Sequence, residues 1–145
     1  MAEVTSAAPV SVVERVPSVA APLGVATATL AATAVVALRS PYQEGSYGFC
    51  PVLALTGWLC PTCGGLRATH DLAHLDVVAA WSMNPAVVLG LPLLAALWAV
   101  WMLRALRGER LRVPAWTAWW ALAAFVAFGV ARNIPVLASL LGPAG

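Results

Sequence analysis

Three long runs without a charged side chain constrain this chain more than any other feature of its sequence. The first extends from Val16 to Leu38, and the others cover residues 84–103 and 113–131. At 1.5 Å per residue, the first run makes a helix of about 35 Å, which exceeds the roughly 30 Å of a bilayer core. We therefore expect an all-α integral membrane protein with about three transmembrane helices.

Charged residues are scarce in the whole chain, and this excludes several classes of protein. They make up 10% of the 145 residues, all eight cations are arginine, and the mean hydropathy is +0.85. Soluble domains average about 25% charged residues. The composition argues against a disordered chain, against a nucleic-acid-binding protein and against an ordinary cytosolic enzyme.

The remaining segments organise around the three expected spans. We predict one membrane domain over 16–135, between a flexible tail at 1–15 and a C-terminal tail at 136–145. Proline and glycine are dense in 40–65, so this segment is predicted as a loop. Residues 66–83 hold no such breaker but carry several polar groups, which favours one helix at the membrane interface.

The second span has a recognisable start. Pro85 occupies its first turn, where a missing N–H is harmless, and Asn84 is then a natural N-cap.

The arginine distribution predicts an orientation. Four of the eight arginines fall within 104–112, between the second and third spans. By the positive-inside rule this loop is cytoplasmic. With three spans, the N-terminus is then cytoplasmic and the cysteine-containing loop faces the outside of the plasma membrane.

All three cysteines lie close together in the sequence, and three interpretations of them stay open. Cys50, Cys60 and Cys63 fall within 14 residues. In an exported segment they can form one disulfide and leave one thiol, as a structural staple. Alternatively, Cys60 and Cys63 form a redox pair just before a helix, with Cys50 as the resolving thiol and Pro61 holding the backbone between the pair.

The third interpretation is a metal site. Cys60 and Cys63 have the spacing of a metal knuckle, and Cys50 offers a third ligand. His70 and His74, four residues apart on the following helix, are candidate further ligands. The metal would be zinc or another thiophilic ion, although a site without any cofactor fits the same residues.

Two arginines have simple structural interpretations as well. Arg67 and Asp71 are spaced as an i,i+4 ion pair, and charge beside a membrane is also a pointer to function. Arg132 is most simply the anchor of the third span at the interface.

The motif residues resemble an uncharacterised bacterial integral-membrane family, a domain of unknown function with a CPxCGxTRA motif followed by an NP dipeptide. The residues that carry the resemblance are Cys50, Pro51, Cys60, Pro61, Cys63, Gly64, Arg67, Ala68, Asn84 and Pro85, with a late 132–135 segment. Leu66 replaces the usual threonine of the motif. The resemblance implies a multi-span membrane protein with a cysteine-containing loop, over about residues 49–135, and implies no activity.

The functional expectation is a small multi-pass membrane subunit or scaffold whose CPxCG loop is stapled by a disulfide or a metal. A membrane thiol–disulfide oxidoreductase using Cys60 and Cys63 and a Cys/His metal-binding membrane protein are the alternatives. The expected partners are the lipid bilayer and either a second copy of the chain or another membrane protein. No nucleic acid is expected.

Overall fold

The computed structural model describes residues 19–43, 47 and 50–141, and every regular element in this part of the chain is an α-helix. The all-α class is confirmed. The helices are α1 (Ala20–Leu38), α2 (Pro51–Thr56), α3 (Gly65–Ala73), α4 (Val77–Met83), α5 (Pro85–Leu106), α6 (Trp116–Ala131) and α7 (Pro135–Leu141).

Two of these helices, α1 and α5, are long and apolar enough to cross a membrane. Helix α1 begins at Ala20, and residues 16–18 of the predicted span lie outside the described residues. Helix α5 begins at Pro85 as predicted, and the Asn84 side chain caps it by accepting a hydrogen bond from the Ala86 N–H.

Helix α6 is equally apolar but has only 16 residues. That length corresponds to about 24 Å, less than a bilayer core. Helix α6 begins at Trp116, three residues after the predicted start of the third span at residue 113. Pro114 and the N-cap residue Ala115 precede it.

The segment predicted as a loop at 40–65 contains helix α2, so that prediction is wrong for Pro51–Thr56. The proline and glycine that suggested a loop instead mark the two ends of this helix. Pro51 occupies the first turn, and Gly57 ends the helix in the left-handed conformation with φ of 70°.

The prediction of one continuous helix over 66–83 is also wrong. The chain breaks between α3 and α4, where Leu75 has a φ of 64°. The Asp76 side chain then caps α4 by accepting a hydrogen bond from the Ala79 N–H at 2.9 Å. Aspartate is a favoured N-cap residue, so Asp76 was the feature of the sequence that indicated a new helix here.

The predicted tails have different outcomes. Residues 135–141 form α7 rather than an irregular tail, and α7 packs against α4 and α6. The N-terminal tail at 1–15 and residues 142–145 lie outside the described residues.

The connectivity gathers the short helices at one end of the long ones. Helices α2, α3 and α4 lie between the end of α1 and the start of α5, and α7 follows the end of α6. Helix α3 packs against α1, α4 and α5. Ala68, Ala80 and Met83 form a small core there. The arginine-rich turn between α5 and α6 lies at the opposite end.

Between the long helices, α5 is joined to α1 by a hydrogen bond from the Trp98 indole N–H to the Pro22 carbonyl oxygen at 2.9 Å. Large apolar side chains on the long helices and on α6 point outward. Leu30 on α1 is 70% exposed, and Trp119 on α6 is 72% exposed. Such outward apolar surface is expected for helices that face lipid.

Gly64 permits the closest backbone approach in this region. It precedes α3 with a φ of 75°, and a Cβ at this position would lie 2.6 Å from the Met83 carbonyl oxygen. The turn that carries Cys63 therefore rests directly on the end of α4.

We expect Gly64→Ala to destabilise the protein more than Gly57→Ala. Both glycines have a positive φ, so both alanines cost about 1–2 kcal/mol in the left-handed region. Only Gly64 is blocked by backbone, because a Cβ at Gly57 meets nothing within 4 Å. Overpacking adds about 1–3 kcal/mol at Gly64 alone. Thermal unfolding in detergent measures the difference, and equal losses for the two variants would contradict the close approach.

Candidate functional site

The three cysteine side chains meet in one triangle of sulfur atoms. The Sγ atoms of Cys60 and Cys63 are 3.2 Å apart, and Cys50 Sγ lies 3.5 Å from each of them. A disulfide bond is about 2.05 Å long. The cysteines are therefore free thiols in the structure, held within contact distance of one another.

Local backbone structure explains why the three sulfurs meet. Cys50 is the extended residue before α2, and Gly57 ends that helix after six residues so that the chain can turn back. Cys60 and Cys63 then occupy one tight turn, in which the Cys63 N–H donates to the Cys60 carbonyl oxygen at 3.1 Å.

The triangle has the dimensions of one face of a tetrahedral metal site. With zinc–sulfur bonds of about 2.3 Å, tetrahedral geometry places sulfurs about 3.8 Å apart. The observed separations of 3.2–3.5 Å are slightly shorter. Among the described residues, this is the one group of three or more His, Cys, Asp or Glu side chains close enough to share an ion.

The thiols differ strongly in acidity. Burial raises the pKa of Cys60, but hydrogen bonds from Thr62, Cys63 and Cys50 outweigh it and bring the pKa down to about 6. Burial and the hydrogen bonds to Cys60 and Cys50 raise the pKa of Cys63 to about 12. At neutral pH the metal-free cluster thus concentrates negative charge on Cys60.

A buried arginine holds the cysteine turn in place. Arg132 is fully buried and directly follows α6. Its guanidinium donates to the carbonyl oxygens of Cys60 at 3.1 Å, Pro61 at 3.3 Å and Cys63 at 2.8 Å, and to that of Met83 at 3.2 Å. The expectation that Arg132 anchors a span at the interface is therefore wrong, because the side chain is fully buried, its two terminal nitrogens donate to backbone carbonyls, and its Nε–H has no partner among the described residues.

Two asparagines complete this framework. Asn84 is also fully buried, and its side-chain amide donates to the carbonyl oxygens of Pro61 at 3.0 Å and Cys63 at 3.1 Å while its own oxygen caps α5. Asn133 exchanges two hydrogen bonds of 2.9 Å with the backbone of Leu59. The cysteine turn is thus held between the start of α5 and the end of α6.

The two histidines predicted as further ligands do not join the thiols. His70 lies about 7.5 Å along the axis from the start of α3, and His74 about 6 Å further. His70 donates from Nδ1 to the Val36 carbonyl oxygen of α1 at 2.8 Å. Helical spacing placed these residues on one face, but it did not account for their distance along the helix.

Arg67 and Asp71 both contact Tyr42. The Tyr42 hydroxyl donates to the Asp71 carboxylate at 2.7 Å, and the Arg67 guanidinium lies 5.3 Å from the centre of the Tyr42 ring. Burial, followed by the hydrogen bond to Asp71, raises the pKa of Tyr42 to about 12.

The sequence did not predict two residues that hold the site from far along the chain, Arg132 as a carbonyl donor and Asn133, nor Thr62, whose hydroxyl lies 3.1 Å from the Cys60 sulfur within the turn. A charged residue beside an apolar helix is itself a signal of function, and this signal was available for Arg132.

Comparison with known proteins adds one finding. A family model described as "Protein of unknown function (DUF2752)" matches residues 50–98. The resemblance to a family of unknown function is thereby confirmed over this segment, which runs from Cys50 into α5 and ends before Arg132. No curated protein and no solved structure matches the chain.

We expect Arg132→Met to lower stability by at least about 3 kcal/mol, because several buried carbonyl oxygens lose their donor. Arg132→Lys should lose less, since an ammonium group retains three donors. Arg112→Met, at an exposed position, is the matched control. Thermal unfolding in detergent is the measurement, and a loss no larger for Arg132→Met than for Arg112→Met would show that the buried guanidinium does not hold the turn.

Proposed function

We propose that this chain is a small multi-pass membrane protein that binds a thiophilic metal ion, zinc first of all, through Cys50, Cys60 and Cys63. The ion staples the cysteine loop into a rigid cap at one end of the bundle. In this role the protein is a membrane subunit or scaffold. The observation that carries the proposal is the triangle of free thiols, with separations of 3.2–3.5 Å between sulfurs.

Charge balance supports the same conclusion. Three thiolates and one divalent ion leave one net negative charge, and such a charge is costly to bury without compensation. Arg132, whose guanidinium is bonded to the carbonyls of Cys60 and Cys63, supplies one positive charge beside the turn. Metal binding would also remove the remaining thiol protons, Cys63 included.

The number of zinc ligands suggests how a partner would bind at the site. Tetrahedral zinc takes four ligands, and the described residues supply three. We propose that the fourth position is taken by water or by a group from another molecule. A second copy of this chain or a membrane partner protein is the natural source of that group.

Metal content tests the proposal. Wild-type protein purified in mild detergent with a non-thiol reductant should contain about one zinc ion per chain by elemental analysis. Cys63→Ser should lose most of it, because one thiolate ligand is removed. Ala54→Ser, on the exposed surface of α2, adds a hydroxyl without touching the thiols and should retain the ion. Wild-type protein with three reduced thiols and no metal would overturn the proposal.

A thiol–disulfide oxidoreductase is the second candidate, favoured by the 3.2 Å separation of the Cys60 and Cys63 sulfurs. In that reaction the Cys60 thiolate attacks a partner disulfide and forms a mixed disulfide. Cys63 then attacks the Cys60 sulfur and releases the partner as a dithiol. Metal-free protein that forms a reversible Cys60–Cys63 disulfide would decide for this function.

We further propose that the thiols face the outside of the plasma membrane and that the arginine-rich turn is cytoplasmic. The two features lie at opposite ends of α5 and α6, which supports opposite sides. An impermeant thiol reagent on intact cells should add one label to Leu55→Cys over wild type, since Leu55 is 86% exposed on α2. Glu109→Cys, in the arginine-rich turn, should gain its label only after permeabilisation. The reverse pattern would invert the orientation.

A further inference from the structure

His70 and His74 form a pair at the end of α3 that the cysteine site does not use. His70 is half-buried and His74 is exposed, at the residue that ends the helix. Their ring centres are 4.4 Å apart. The four-residue spacing places both imidazoles on one face, as in helices that bind zinc through two histidines.

Backbone hydrogen bonds determine which ring nitrogen each histidine has free. His70 Nδ1 lies 2.8 Å from the Val36 carbonyl oxygen, and His74 Nδ1 lies 2.8 Å from the His70 carbonyl oxygen. A carbonyl oxygen only accepts, so in the neutral imidazoles both Nδ1 atoms carry the proton and both Nε2 atoms offer the lone pair. Metal-ligating histidines characteristically donate their other ring N–H in this way, which orients the ring.

The ring separation suits two ligands on one ion. A metal about 2.0–2.1 Å from each nitrogen, with the two bonds at a right angle, places imidazole centres about 4.5 Å apart. The observed separation of the ring centres, 4.4 Å, is close to this value.

The charges around the pair favour a cation. The carboxyl end of α3 lies at His74, and the partial negative charge of a helix C-terminus attracts positive ions. Asp71, adjacent to His70, adds a carboxylate that is 7% exposed. The nearby cation Arg67 lies over the Tyr42 ring, 5.3 Å from its centre.

We propose that His70 and His74 form a second metal site, which binds a divalent ion of intermediate softness such as Ni²⁺, Cu²⁺ or Zn²⁺ through both Nε2 atoms. Imidazole is a suitable ligand for all three of these ions. Water completes the coordination, because His74 is open to solvent. This site stands independently of the cysteine site.

Nickel binding tests the proposal with tag-free protein, because a polyhistidine tag would bind the same ion. Wild-type protein in detergent, preloaded with only one zinc ion per chain for the thiols so that the imidazoles stay open, is titrated with Ni²⁺ by calorimetry and should bind one further ion per chain. His74→Ala should weaken binding at least about tenfold, since even loss of a supporting group around a metal costs roughly 10–100-fold. Val78→Ala, an exposed position on the neighbouring helix α4, is the control and should bind as wild type.

The same titration in Cys63→Ser protein distinguishes the histidine site from the thiols. In Cys63→Ser protein, adding His74→Ala should still weaken nickel binding about tenfold, because the imidazoles do not depend on the sulfurs. Absence of nickel binding in wild type, or equal binding by His74→Ala, would overturn the second site. Equal nickel binding by Cys63→Ser protein with and without His74→Ala would also overturn the second site, because the ion would then be bound by the thiols.

Discussion

The contact on which the rest of this structure depends is the bonding of one guanidinium, that of Arg132, to the backbone carbonyls of the cysteine turn. Residues between Gly57 and Gly64 belong to no helix, so their carbonyls have no helical partners. A buried carbonyl without a partner costs about 1–3 kcal/mol, because no water is available to pair it. Arg132 satisfies carbonyls of Cys60, Pro61 and Cys63 together, and Asn84 shares two of them. An irregular turn is thereby made rigid, and the three thiols are held in contact.

Close packing of small residues stabilises this end of the bundle in addition to the polar contacts. Gly64 lets the cysteine turn rest on the end of α4, and Ala68 and Ala80 are fully buried between α3 and α4. Small side chains allow helices to approach closely where lipid offers no hydrophobic driving force. The described bundle thus has a compact polar end and long apolar helices whose outer faces are exposed.

The sequence predicted those features that depend on neighbouring residues. Charge-free runs located α1 and α5, Asn84 and Pro85 located the start of α5, and cysteine spacing placed the thiols together. The break at Leu75 and helix α7 were missed, because Asp76 and Pro135 each begin a helix that the apolar pattern did not separate. The role of Arg132 was missed for a different reason. Its partners in the cysteine turn lie 69–72 residues earlier in the chain, and only the approach of the end of α6 to this turn, where Gly129 meets Pro61, brings them together.

That long separation has a consequence for the order in which the protein is made. The ribosome completes the cysteine turn well before it reaches Arg132, which follows Cys63 by 69 residues. Until α6 has been synthesised, the carbonyls of Cys60 and Cys63 lack their guanidinium donor, while Asn84 is already present. The guanidinium contacts of the cysteine turn therefore form only after α6 is complete. A shortened chain that ends before Arg132 contains all three cysteines and yet lacks the residue that holds their turn.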